Sequence, residues 1–347
     1  MKLFTIYLLA LLTIIASSNV STAREENIMD TVQDSSGTNL NEILKKEKLR
    51  IIITDSGLGG LSVAADVEKK LSLFKPFKEA EIIFFNALPV HNKGYNSMKD
   101  MKQKVKVFDS ALNSMIKNFN PDIILIACNT LSVVYPETEF SKTTNIPVIG
   151  IVELGVELMS DSLKNNPGSN VFIIGTPTTI NSNSHKNKLI AKGFDENIIY
   201  TQPCKNLESE IQENTESKAV KVLLDKYSDE IKSKVKTPAV KSFVGLCCTH
   251  YGYAYKLIDS VMKDKFGKNT ELLNPNSKMG DLLITGENRN RFNEIKTNVK
   301  VVSQVDITEQ ENKSLGKLLG QESLKTEAAL KNYVLNENLF EYRKFIE

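Results

Sequence analysis

Two thiols stand where reactive groups are useful. Cys128 lies in Ala127-Cys128-Asn129-Thr130 and Cys248 in Cys247-Cys248-Thr249-His250, each directly after an aliphatic run. An isolated Cys in such a place is ordinarily a small buried hydrophobe. Two in matching positions suggest a duplicated arrangement, with the thiols facing each other across a cleft. That geometry suits a two-base reaction, in which one thiolate takes a proton from one face of a carbon and the other thiol returns one to the opposite face. A free Cys ionises near pH ~8.5, so each thiol needs help at neutral pH. Asp55 and His250 are the available helpers. Asp55 opens Asp55-Ser56-Gly57-Leu58-Gly59-Gly60, where glycines let the backbone turn toward a ligand. The spacing is GxGG, without the third dinucleotide glycine or the P-loop Lys, so a nucleotide-phosphate site is disfavoured. An Asp helix cap with turn glycines is the plainer alternative.

The elements that must hold these residues alternate. Strands are expected at 49–54, 80–86, 122–127, 170–176, 196–201, 242–246 and 300–305, separated by segments of helical period. Over 99–119, Val105, Phe108, Leu112, Met115, Ile116 and Phe119 share one face, as a helix covering a sheet requires. The pattern predicts an α/β fold with parallel-rich sheets, and ligands in such folds sit beyond the carboxyl ends of the strands.

Composition narrows the function. Among 347 residues, 44 Lys and Arg against 42 Asp and Glu leave +2, with the signs interspersed, so nothing resembles a nucleic-acid footprint. Four Cys without CxxC and three His without HExxH argue against a metal centre or a redox dithiol. His91 and His185 read as surface or loop residues, and Cys204 and Cys247 are likewise given no chemistry. In an extended strand end, Cys247 points away from its neighbour Cys248. Residues 1–23 combine Lys2, the apolar run Leu3 to Ala16 and small residues ending at Ala23, the pattern of a secretory signal peptide. The run is shorter than the ~20 residues of a comfortable membrane span. Export is therefore expected, to a periplasmic, extracellular or secretory compartment, with residues 24–47 as a polar linker.

Five segments in order, DSGLGGLSV, ACNT, IPVIGIVELG, IIGTPTTINS and CCTHY, closely resemble the cofactor-independent glutamate racemases of the aspartate/glutamate racemase superfamily, from about Leu49 to about Leu319. The resemblance implies two pseudo-symmetric α/β domains with the active site between them, one formed by 48–150 and 275–319 and the other by 151–274. A helical extension at 320–347 lies beyond the family's usual end. It implies no cofactor and no metal, with Cys128 and Cys248 as the acid/base pair. Asp55, His250 and Glu153 would assist them. Asp55, Ser56, Asn129, Thr130, Thr176, Thr179, Thr249 and His250 would hold the amino and carboxylate groups of a small acidic amino acid. A homodimer is a family expectation.

The sequence also departs from the family. Glutamate racemases carry Pro-Tyr-Gly after the second strand, where the side-chain carboxylate is received; Asn92-Lys93-Gly94 aligns there, so Pro and Tyr are lost and Gly94 remains. Lys93 either serves that carboxylate as a point charge or faces solvent. Tyr251-Gly252-Tyr253 replaces the usual Pro after CTHY. The leading reading is glutamate racemization. Aspartate or another acidic substrate, and a secreted protein that binds such an acid without turnover, are the competitors.

Overall fold

The computed structural model describes residues 40–346 apart from 92, 237 and 238. The signal-peptide reading of 1–23 and most of the linker therefore lie outside the described residues. Two sheets carry the fold, and every strand pair in both is parallel. The first, in spatial order β10-β9-β2-β1-β3-β4, contains β1 (Lys48–Asp55), β2 (Glu79–Asn86), β3 (Ile123–Ile126), β4 (Val148–Gly150), β9 (Lys296–Ser303) and β10 (Val334–Leu335). The second, in order β6-β5-β7-β8, contains β5 (Asn170–Gly175), β6 (Ile199–Pro203), β7 (Ser242–Cys247) and β8 (Thr270–Leu273).

The central strands β1, β3, β5 and β7 are apolar almost throughout because both of their faces are covered. Alternation then sorts the side chains. Ile51, Ile53, Ile82, Phe84, Ile123 and Leu125 enter one core of the first sheet, while Ile52, Ile83, Phe85, Ile124 and Ile126 enter the other. In the second sheet Phe172, Ile174, Val244 and Leu246 face one core, and Val171, Ile173 and Phe243 the opposite one. Fully burying one such Ile or Phe contributes ~1.5–3 kcal/mol, so a one-residue slip of any central strand would be prohibitive.

Helix Met101–Phe119 lays Val107, Phe108, Ala111, Leu112 and Met115 on the first sheet. Asp100 starts it by accepting from the Gln103 amide at 2.9 Å, and Asn120, left-handed at φ 43°, stops it.

Most strand limits differ from expectation by a residue or two, and those of β6 and β9 by more. Asp195 accepts from the Asn197 amide at 2.9 Å and closes a 3-10 turn over Glu196–Ile198, so β6 begins only at Ile199. The sixth expected strand gains Cys247. β9 starts four residues early, since the polar stretch from Lys296 pairs in register with β2. It ends early as well, because the Ser303 hydroxyl bonds the Val305 carbonyl at 2.7 Å and bends the chain.

The chain's end is not purely helical. Helices Glu309–Glu322 and Leu324–Lys331 lead into β10, which extends the sheet beside β9, and a last turn covers Arg343–Ile346. Leu330 joins one core of the first sheet, and Leu339 and Phe340 join the other. The extension is thus docked on its own body.

Candidate active site

Strand order reverses at β1, flanked by β2 and β3, and at β5, flanked by β6 and β7. Crevices open at such reversals, beyond the carboxyl ends. Four segments leave there: β1 delivers Asp55 and Ser56, β3 delivers Cys128 to Thr130, β5 delivers Thr176, and β7 delivers Cys248 to His250. All of them line one cavity of about 750 Å³.

At the first thiol, Ser56 Oγ lies 3.1 Å from Cys128 Sγ. Burial, with the Asp55 charge adding to it, pushes the Cys128 thiol up to about 12. Burial likewise raises Asp55 to about 6, although Thr249 Oγ1 donates to its Oδ2 at 2.7 Å. That bond joins the two strand-end loops. Asp55 Oδ1 and Asn129 Nδ2 are buried and have no partner among the described residues. One is an acceptor suited to an ammonium group and the other a donor suited to a carboxylate. Thr130, Thr176 and Thr179 form a triangle of hydroxyls with edges of 2.7, 3.1 and 3.2 Å. Thr179 stands behind the other two and does not line the cavity.

At the second thiol, Cys248 Sγ lies 3.8 Å from His250 Nδ1, and His250 Nε2 lies 2.8 Å from Gln212 Oε1. Burial raises Cys248 well above a free thiol, with the charges of Glu208 and Asp55 adding to it. Burial lowers His250 to about 4, so its imidazole is neutral at pH 7. Gly59 makes this packing possible: a Cβ there would lie 2.3 Å from Thr249 Oγ1 and 2.6 Å from His250 Nδ1. Tyr253, in the loop that lacks the family's Pro, donates to the Leu58 carbonyl at 3.1 Å and ties that loop to the first strand's turn. Cys247 packs with Val152 and Met159 in the opposite core, as strand alternation requires.

Glu153 and His185 are placed otherwise than expected, and Lys93 takes the solvent-facing one of its two alternatives. Glu153 does not line the cavity; it is ion-paired with Lys188 on the neighbouring helix, because its position on Ile151–Asn165 faces that helix. Lys93 is exposed and borders a separate groove with Tyr342 and Arg343. Of the segment aligned with Pro-Tyr-Gly, Gly94 does line the cavity, followed by Tyr95 and Asn96, while Asn92 lies outside the described residues. His185 is neither a surface nor a loop residue. It is buried on helix Ser184–Ala191 with Nε2 3.1 Å from Asn129 Oδ1, and burial lowers it to about 4. His91 stands at the cavity rim.

Glu208, Gln212 and Glu311 also line the cavity, and no motif marks them. They occupy helices Leu207–Glu213 and Glu309–Glu322, where a polar residue reads as part of a solvated face. Asn96 bridges the lobes, accepting from the Thr178 amide at 3.2 Å and donating to Glu208 at 3.4 Å.

A cavity that brings two thiols together with a free acceptor and a free donor suits an isomerase of the amino-acid racemase class. Comparison with known proteins agrees. The Asp/Glu/Hydantoin racemase family model matches residues 78–240. Glutamate racemase from Fusobacterium nucleatum is 31% identical over 221 residues, covering 62% of this chain and 75% of that one. The enzyme from Aquifex pyrophilus is 27% identical over 217 residues, covering 62% and 76%. Among solved structures, glutamate racemase from Francisella tularensis in complex with D-glutamate superposes with a TM-score of 0.59 at 24% identity, over 80% of this chain and 95% of that one. The chain belongs to the aspartate/glutamate racemase family.

Proposed function

We propose that the protein interconverts L- and D-glutamate, with Cys128 and Cys248 as the two acid/base groups. The observation that carries this reading is the delivery of both thiols to one cavity, each beside its own polar helper. The relatives above are glutamate racemases, which supports glutamate as the substrate.

In this reading the α-carboxylate takes donors from Asn129 Nδ2 and the neighbouring hydroxyls, and the ammonium group meets Asp55 Oδ1. Neutralising the carboxylate stabilises the negative charge that develops when the α-proton leaves. Burial favours the protonated form of both thiols. The arriving ammonium charge favours a thiolate beside it, because an opposite charge at close range stabilises the ionised form. One thiolate then removes the α-proton and the opposite thiol supplies another, so the two exchange protonation states in each turnover. Residues 1–23 supply the argument for export, which belongs to the same proposal.

Proton NMR of the purified, reduced protein in D2O tests it, with L-glutamate and L-aspartate supplied separately. Loss of the glutamate α-proton signal with falling optical rotation is the expected result. Exchange of aspartate alone would reassign the substrate, and exchange of neither would reject the reading.

A further inference from the structure

The second thiol's histidine is held by residues outside every motif above. Gln212 Oε1 receives the Leu58 backbone N–H at 2.9 Å, and Gln212 Nε2 donates to Glu311 Oε1. A backbone N–H can only donate and a carboxylate can only accept, so the two ends of this amide cannot be exchanged. His250 Nε2, 2.8 Å from the same Oε1, must then carry a hydrogen. A neutral imidazole with its proton on Nε2 has a bare lone pair on Nδ1, the atom that faces Cys248 Sγ at 3.8 Å. Glu311 is fixed in turn, since its Oε2 accepts from the Thr308 amide at 2.8 Å and the Thr308 hydroxyl at 2.9 Å, closing a capping box at the start of its helix.

We propose that Gln212, clamped by Glu311, is a positioning residue that holds His250 in the Nε2–H tautomer, so that Nδ1 accepts the Cys248 proton. The S–H bond breaks and an Nδ1–H bond forms, leaving a thiolate and an imidazolium whose Nε2–H still points at Gln212. The opposite tautomer would present Nδ1–H to the sulfur and could take no proton from it. Other groups around His250 do not set this choice. The Tyr253 ring stands edge-on at 6.5 Å with its hydroxyl committed to Leu58, and Asp55 is engaged by Thr249. Glu208 acts on Cys248 through its charge. The assignment deepens the two-thiol reading and rests on it.

Imidazole 15N NMR on the labelled, full-length protein near neutral pH reads the tautomer without any substitution, with the His250 signals identified by their loss in His250→Asn. An unprotonated Nδ1 with a protonated Nε2 is expected; a protonated Nδ1 overturns the proposal. Gln212→Met removes the acceptor at similar length, whereas the exchanged pair Gln212→Glu with Glu311→Gln keeps it and still sets one donor against one acceptor. Alkylation of each thiol by iodoacetamide, followed by peptide mass spectrometry across pH, should show Cys248 slowed about tenfold and its profile moved upward in Gln212→Met, with Cys128 unchanged. The exchanged pair should restore the Cys248 rate. If Gln212 only ties the lobes together, both thiols shift alike or neither does. A wild-type protein with the expected tautomer but no α-proton exchange would reject the racemase reading alone.

Discussion

The two halves of the cavity share a frame and differ in chemistry. Cys128 follows β3 and Cys248 follows β7, each beside the strand at which its sheet reverses. In the proposed mechanism the titrating helper near Cys128 is a carboxyl, Asp55, with the Ser56 hydroxyl in contact with the thiol; near Cys248 it is a neutral imidazole held from behind by an amide. An anion beside a thiol opposes its ionisation, whereas a neutral base accepts its proton. Similar folds have therefore prepared the two thiols by different means, and Thr249 links them by donating to Asp55. The substrates are mirror images of equal energy, so kcat/KM must be the same in both directions however unequal the halves are. The asymmetry can show only in kcat and KM taken separately and in which direction a perturbation exposes the proton transfer.

Removing either thiol is the most severe way to break the comparison. Cys128→Ala and Cys248→Ala should each lower turnover by about 10³-fold or more while glutamate binding persists, as seen by NMR exchange alongside calorimetry. Unchanged turnover in either variant would reject the paired roles.

The helpers should separate the halves. Asp55→Asn and His250→Gln should each reduce kcat by about 10²-fold. The α-deuterium isotope effect on kcat should rise in opposite reaction directions for the two variants. A rise in the same direction for both would mean that the helpers serve one shared step.

A buried neutral histidine touches each half, His185 reaching Asn129 from a helix that follows β5 and His250 standing beside Cys248, both lowered by burial from 6.5 to about 4. Between those values the unfolded chain binds more protons than the native one, so stability rises with pH and is lost on acidification, by ~3 kcal/mol for each histidine. Asp55 works against this. Raised from 3.8 to about 6, it binds more protons when folded and favours the acid side of that window. Urea titrations from pH 7 to pH 4 should show a net loss that His185→Gln roughly removes. A flat profile in the wild-type protein would contradict the buried neutral state.

The smallest effect concerns orientation. Without the His185 Nε2–H on Oδ1, the Asn129 amide is free to turn its Nδ2 away from the cavity. His185→Ala should raise KM by about tenfold, with kcat changed less.

How much of this could be read in advance depends on the distance over which each signal acts. The central strands were legible because β-branched runs covered on both faces look alike in any context, and Cys128, Cys248 and Asp55 were legible because each closes such a run. β9 was not, since Lys296-Thr297-Asn298 is polar and becomes a strand only by pairing with β2. His185 sits in Ser-His-Lys-Asn on a weakly amphipathic helix, and its partner Asn129 is 56 residues away. Gln212 and Glu311 could not be found at all, because nothing local marks a helical glutamine whose two amide ends meet a loop and a distant carboxylate. Glu153 erred in the other direction: its place inside a recognisable motif suggested chemistry, but its helix turns it toward Lys188.

The 99 residues between Gln212 and Glu311 also set an order of events during synthesis. At about 5–20 residues per second, a ribosome places both thiols, Asp55 and His250 in the growing chain several seconds before the carboxylate that fixes the amide exists. Strand β9, which completes the sheet beside β2, comes only slightly earlier than Glu311. A nascent chain therefore holds both thiols and the histidine while the clamp is still missing, and the histidine is locked only once Glu311 has been made and its helix has folded back.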